Sequence, residues 1–99
     1  MLNIQKTIEN GKAIVGLEGR LDTITAPELE GVIKEILPNL TDLTLDLSKL
    51  EYISSAGLRV LLSAQKAMNQ QGGMTVKNVG ETIMEIFEVT GFSDILTIE

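Results

Sequence analysis

The fold is decided by the stretch from Leu43 to Met68, which reads LTLDLSKLEYISSAGLRVLLSAQKAM. Residues 43–47 alternate apolar and polar side chains, the period of a half-buried strand. From about Ser55 to Gln70 the apolar residues recur every three or four positions, the period of an amphipathic helix. The inward side of that helix is predicted to carry Gly57, Val60, Leu61, Ala64, Ala67 and Met68, and the solvent side Arg59, Ser63, Lys66 and Gln70. We therefore expect a strand, a loop over 48–54 and a long helix.

A second helix is indicated upstream, where Thr25 and Glu28 have the spacing of a capping box. Pro27 fits the first turn of a helix, because the N–H that proline lacks would have no partner there. The apolar residues that follow at helical spacing are Leu29, Val32, Ile33, Ile36 and Leu37. Pro38 should end this helix.

The two ends of the chain predict strands. Residues 2–8 alternate apolar and polar side chains, residues 13–17 predict a second strand, and Asn10-Gly11 between them favours the tight turn of a hairpin. After Gly72-Gly73 the chain predicts a strand over 74–79, a helix over 81–90 with Ile83, Ile86 and Phe87 inward and Gly91 as its cap, and a last strand over 95–98. The expected order is β-β-α-β-α-β-α-β. Alternating strands and helices imply one α/β domain over 1–99 with a mixed, mostly parallel sheet and an antiparallel hairpin at its start.

Composition narrows the function. The 99 residues contain no histidine and no cysteine, which removes the commonest general base, the commonest metal ligand and all thiol chemistry. A formal charge of −6 argues against direct binding of nucleic acid, whose phosphates require clustered Lys and Arg. No apolar run is long enough to span a membrane, and no signal-peptide pattern is present. We expect a cytoplasmic binding module without a cofactor or metal, rather than an enzyme.

The serines at the start of the long helix allow two interpretations. Either Ser54 or Ser55 can cap the first helical amides, which is the ordinary role of serine before an apolar periodic run. A hydroxyl in this place can also accept a phosphate, because the unpaired amides and the helix dipole favour negative charge there. Physical reasoning from the residues alone favours the cap.

Two motifs resemble the STAS family, the domains shared by sulfate transporters and anti-sigma-factor antagonists. The first is Asp46-Leu47-Ser48 followed by Ser54-Ser55-Ala56-Gly57-Leu58, which is similar to the family's Asp-Leu-Ser and Asp-Ser-Ser/Thr-Gly-Leu. The second is the Gly19-Arg20-Leu21-Asp22 stretch with Thr25-Ala26 and Leu29, which resembles the family's Gly-x-Leu-Asp, Thr-Ala and Leu positions. The likeness covers essentially the whole chain, with Ser54 in place of the acidic residue and Ala56 in place of the second hydroxyl.

The resemblance implies an anti-sigma-factor antagonist. Such a protein binds an anti-sigma factor, which is also a serine kinase, and releases it when phosphorylated; a phosphatase restores the unphosphorylated form. The position that carries the phosphate corresponds to Ser55, and Ser54 is a secondary candidate. The alternative is an accessory subunit of a membrane transporter or signalling assembly that binds its partner constitutively.

Four further residues are candidate partner contacts beside Ser54 and Ser55. Asp22 is either a turn aspartate that bonds its own backbone or a partner-facing acid near Ser55. Leu58 and Leu62 share one flank of the long helix with Ser55, and Arg59 lies alongside. These leucines are either covered by neighbouring elements or form a docking face with a hydroxyl at its end, and the resemblance favours docking. We expect Leu62 in particular to be substantially exposed.

Overall fold

A computed structural model describes residues 1–99, and it confirms the α/β class with an antiparallel hairpin followed by parallel strands. The strands are β1 (Leu2–Glu9), β2 (Lys12–Leu21), β3 (Asp42–Ile53) and β4 (Gly73–Lys77). The helices are α1 (Ala26–Ile36), α2 (Ser55–Gln71) and α3 (Glu81–Thr90), with 3-10 turns at Leu37–Asn39 and Phe92–Asp94. The four strands lie side by side in chain order.

The hairpin turn has the geometry that its sequence predicts. Asn10 and Gly11 both have positive φ, 52° and 79°, which is the requirement of the tight turn that matches the twist of paired strands. The register runs from Glu9 opposite Lys12 to Leu2 opposite Gly19. β1 is therefore an antiparallel edge strand beside an otherwise parallel sheet.

Strand β3 is longer than the sequence pattern predicts. The expected loop over 48–54 is wrong, because the strand continues to Ile53 and stays paired with β2 up to Leu21. The pairing with β2 shifts register between Gly16 and Glu18 and between Gly19 and Arg20. Because of these shifts, buried and exposed side chains do not alternate regularly over this part of β3, so its sequence lacks the two-residue period of a strand. Helix α2 nevertheless begins at Ser55, as predicted.

The predicted last strand is reduced to a single bridge. Ile98 pairs in parallel with Val76, and the Val76 N–H donates to the Thr97 carbonyl at 2.8 Å. A 3-10 turn covers Phe92–Asp94, no strand forms over 95–97, and β4 itself ends at Lys77 rather than residue 79. The sheet therefore has four full strands and one fragment at its edge.

One face of the sheet carries the core. Val15, Leu45 and Val76 are in register across three strands and are fully buried, while Ile14, Thr44 and Thr75 on the opposite face are partly or largely exposed. Buried residues of all three helices belong to the same apolar cluster as the buried strand residues. The domain is thus a layer of helices on one face of a sheet, with the other face open.

Helix α2 packs closely because of Gly57. An added Cβ at this position would lie 2.7 Å from Leu21 Cγ and 2.9 Å from Ile53 Cγ1, so glycine allows the helix to touch the ends of β2 and β3. The predicted inward side of α2 is largely confirmed, except that Ala67 is only half-buried and the polar Gln65 is buried. The Gln65 side chain donates a hydrogen bond from Nε2 to Asn69 Oδ1, and its Oε1 accepts the Thr97 N–H. Both ends of this buried amide therefore have a hydrogen-bond partner.

We expect Gly57→Ala to lower the free energy of unfolding by roughly 1–3 kcal/mol, because Leu21 and Ile53 are both buried and cannot move without strain. Gly31→Ala is the matched control, since Gly31 lies within α1 with open space around it and alanine should stabilise that helix by roughly 0.5–1 kcal/mol. Urea denaturation of both variants measures the two effects. Equal effects of the two substitutions would contradict the close packing at Gly57.

Candidate functional site at the start of helix α2

The candidate site forms where two parallel strands end together. Leu21 pairs with Ile53, and the Ser54 N–H donates to the Leu21 carbonyl at 2.9 Å. This bond holds the turn that begins at Asp22 beside the first residues of α2. The proximity of Asp22 and Ser55 therefore follows from strand pairing.

The two serines have different roles. Ser54 is the N-cap: its backbone is extended and its Oγ accepts the Gly57 N–H at 3.4 Å. Ser55 is the first helical residue, is exposed, and has no hydrogen bond from its hydroxyl to another protein group. The capping role thus belongs to Ser54, which leaves the Ser55 hydroxyl accessible at the positive end of the helix dipole.

Asp22 organises the turn that leads into α1. Its Oδ1 accepts the N–H groups of Ile24 and Thr25, both at 3.0 Å, and its carbonyl accepts the Ala26 N–H at 2.8 Å. The hydrogen bond from the Thr25 backbone N–H is the main reason that the pKa of Asp22 lies below its usual range. These are the contacts expected of a turn aspartate, and its other carboxylate oxygen lies 3.9 Å from Arg20 Nε.

The capping box predicted at Thr25 and Glu28 is wrong. The Thr25 side chain makes no cap hydrogen bond to the helix; its Oγ1 donates to the Arg20 carbonyl at 2.8 Å and accepts the Asp22 N–H at 2.9 Å. Asp22 accepts the hydrogen bonds at this helix start instead: its Oδ1 accepts the Thr25 N–H, and its carbonyl accepts the Ala26 N–H. Both motif residues, Asp22 and Thr25, thus fasten the end of β2 to the start of α1.

The flank of α2 is less exposed than its sequence suggests. Leu58 is 6% exposed and belongs to the core cluster, so its prediction as a surface contact is wrong. Leu62 is half-buried rather than substantially exposed, and Arg59 is exposed. Ser54, Ser55, Arg59 and part of Leu62 therefore remain available for contact along this helix.

Three residues that the sequence reasoning did not single out lie at the same end of the sheet. Ile24 is 83% exposed in the turn after Asp22. Arg20 and Tyr52 face each other in register on β2 and β3, with the guanidinium 4.3 Å from the ring centroid. The isolated isoleucine between two threonines was a signal in the sequence, whereas the Arg20–Tyr52 contact required the strand register.

Asp46 joins the middle of β3 to the segment after β4. Its Oδ1 accepts the Ser48 N–H at 3.0 Å and the Asn78 side-chain N–H at 3.1 Å. The Ser48 N–H contributes most to a pKa of Asp46 below the usual range. The Asp-Leu-Ser motif therefore has a structural use, because its aspartate bonds the residue two positions later.

Exposed side chains of several chemical types lie at this end of the sheet. No group of three or more His, Cys, Asp or Glu side chains is placed to hold a metal ion. No helix combines the length and apolar character needed to cross a membrane. The features that remain are an exposed hydroxyl at a helix start, an exposed apolar side chain and two arginines.

Comparison with known protein families matches residues 3–99 to the STAS domain. The chain belongs to the STAS domain family. A relative from Staphylococcus aureus, an anti-sigma-B factor antagonist, is 33% identical over 97 residues, which cover 96% of this chain and 90% of that protein. Similarity to the relative thus extends across the sheet, the helices and the site.

Solved structures show the same STAS fold. An anti-sigma factor antagonist from Mycobacterium paratuberculosis superposes with a TM-score of 0.89 at 24% identity, covering 99% of this chain and 85% of that chain. The anti-sigma factor antagonist SpoIIAA matches in its unphosphorylated form with a TM-score of 0.82 at 15% identity, covering 100% of this chain and 88% of that one. Its phosphorylated form matches with a TM-score of 0.76 at 15% identity, covering 100% and 91%.

We expect the stability of this STAS domain to fall in acid partly through Asp22. Its folded pKa is lowered, so its carboxylate stabilises the fold above the unfolded pKa of ~4, and this contribution is lost as the pH falls through the folded pKa. Asp22→Asn keeps an oxygen acceptor but cannot titrate, so its unfolding free energy should fall less steeply below about pH 4.

Denaturation of this variant at a series of pH values measures the slope, with Asp94→Asn as a control that removes the same charge from an exposed position without a side-chain hydrogen bond. Asp46→Asn should flatten the acid limb in the same direction. Parallel acid limbs for Asp22→Asn and the wild type would contradict the role given to this carboxylate.

Proposed function

We propose that this protein is an anti-sigma-factor antagonist that acts by binding rather than by catalysis. In its unphosphorylated form it binds an anti-sigma factor, so that the sigma factor is freed and transcription changes indirectly. Support comes from the Staphylococcus aureus relative, whose name describes this role and whose similarity covers 96% of the chain. A protein with this role works in the cytoplasm, where sigma factors act.

Phosphorylation of Ser55 by the anti-sigma factor, acting as a serine kinase, is the proposed switch. The observation that carries this proposal is that the two serines differ in their contacts. Ser54 caps the helix, whereas Ser55 is exposed and its hydroxyl makes no hydrogen bond to another group of the protein. A kinase can therefore take Ser55 without first breaking a helix cap. The fold also accommodates a modified state, since SpoIIAA has been solved in both phosphorylated and unphosphorylated forms.

The phosphate would act through charge and hydration. At neutral pH it adds a charge of about −1.5 to −2 and three strong acceptor oxygens. Bound at the partner surface it would have to lose water and face any acidic group already there, so the complex is weakened. Within the free protein the same charge is tolerated, because the first amides of α2 and its dipole favour an anion. A phosphatase then returns the protein to its binding form.

We expect Ser55→Ala to abolish phosphate incorporation while leaving anti-sigma binding and stability nearly unchanged. Alanine removes the acceptor oxygen but no internal hydrogen bond, so the unfolding free energy should change by no more than about 0.5 kcal/mol. Ser54→Ala is the matched control: it removes the cap and should cost about 1 kcal/mol of stability, yet it should still be phosphorylated. Incubation with the candidate kinase and ATP, followed by mass-spectrometric mapping, distinguishes the two serines.

Phosphate on Ser54 in the wild type would overturn the assignment to Ser55. No incorporation at either serine, together with stable binding to the partner, would favour the constitutive accessory subunit. The remaining candidates for the partner surface are Asp22, Ser54, Arg59 and Leu62; the burial of Leu58 leaves it as support beneath that surface.

We expect Leu62→Ser to weaken binding to the anti-sigma factor by about 1 kcal/mol or more, as removal of an interface anchor does. Leu62 is half-buried, so the same change should cost about 1–2 kcal/mol of stability, less than the ~2–4 kcal/mol expected for Leu58→Ser in the core. A urea melt and a calorimetric titration measure the two quantities.

Leu37→Ser is the control for this experiment, because Leu37 is also half-buried but lies at the far end of α1. It should reduce stability without changing the affinity of the folded protein. A loss of stability in Leu62→Ser with unchanged affinity would assign Leu62 to the core alone.

A further inference from the structure

Arg59 lies one helical turn beyond Ser55 on α2. Side chains four residues apart on a helix are neighbours, with Cβ atoms about 5–6 Å from each other. Both residues are exposed. A negative group N-terminal to a positive one is also the favourable order for such a pair.

The guanidinium of Arg59 has no carboxylate within 4.0 Å, since the ion pairs of the protein join other residues. Helix α2 contains no Asp or Glu at all. Glu30 lines the same shallow groove between α1 and α2, but it lies 4.0 Å from Lys34. Arg59 is therefore a cation without an acidic partner, beside the proposed site of a new negative charge.

The other arginine at this end of the sheet is already engaged. Arg20 lies over the ring of Tyr52 and 3.9 Å from an Asp22 oxygen. Lys66, the only other cation on α2, lies eleven residues beyond Ser55, which is about 16 Å along the helix axis. Arg59 is thus the cation best placed to meet a phosphate on Ser55.

We propose that Arg59 is the intramolecular partner of the phosphate on Ser55, holding it along α2 through a charge-assisted pair. This inference rests on the proposed function, because it requires that Ser55 carries a phosphate. Arginine suits the task, since its planar fork matches phosphate oxygens and stays charged at all relevant pH values. Phosphorylation then changes two surface residues together: it adds an anion at position 55 and neutralises the free cation at position 59.

The test places phosphoserine at position 55 during translation, so that no kinase is needed, and titrates the phosphate by phosphorus NMR. A nearby guanidinium favours the dianion and lowers the second pKa of the phosphate. In Arg59→Gln this pKa should therefore rise by about 0.2–0.4 units at low salt. Arg59→Lys should restore part of the difference, and salt near 1 M should remove most of it.

Lys66→Gln is the matched control, since it removes the same charge from the same helix and should leave the titration unchanged. Asp22 and Glu30, the acids of the neighbouring turn and helix, are present in every variant and do not affect the comparison. Identical titrations of the wild type and Arg59→Gln would overturn the pair. Failure of a kinase to modify Ser55 would count against the proposed function and not against this contact, so the two outcomes are distinguishable.

Discussion

The parallel pairing of β2 with β3, continued to Leu21 and Ile53, is the constraint on which the site depends. It ends in the hydrogen bond from the Ser54 N–H to the Leu21 carbonyl, which fixes where helix α2 can begin. Gly57 then lets the helix rest directly on Leu21 and Ile53. The strand pairing, this hydrogen bond and the packing at Gly57 together fix the position of α2. The exposure of Ser55 therefore depends on the same contacts that hold the helix against the core.

Serine in place of the acidic residue of the STAS motif is compatible with this arrangement. Serine and aspartate are both good N-caps, and Ser54 does cap α2 through Gly57. The start of the helix is therefore preserved. What changes is the charge beside Ser55, which is less negative here than in the family motif, so a phosphate added to Ser55 meets less repulsion from its own chain.

Both motif aspartates, Asp22 and Asp46, accept hydrogen bonds from other residues of the chain. Asp22 closes the turn between β2 and α1, and Asp46 links β3 to Asn78. The largest cause of the lowered pKa of each carboxyl group is a hydrogen bond from a backbone N–H, which favours the charged carboxylate. Around them, Ser55, Arg59 and Ile24 are exposed.

The sequence by itself determined the elements whose patterns are local. Asn10-Gly11 specified the hairpin through its left-handed backbone preference, and the apolar spacing of α1, α2 and α3 specified the helices, because such signals act within one turn of chain. It also placed the start of α2 at Ser55 and, through the resemblance, the family. The tertiary structure decided what depends on residues distant in sequence. Pairing with β2 extended β3 through the expected loop, and packing buried Leu58. These outcomes were set by neighbouring strands and helices, whose positions no local period encodes.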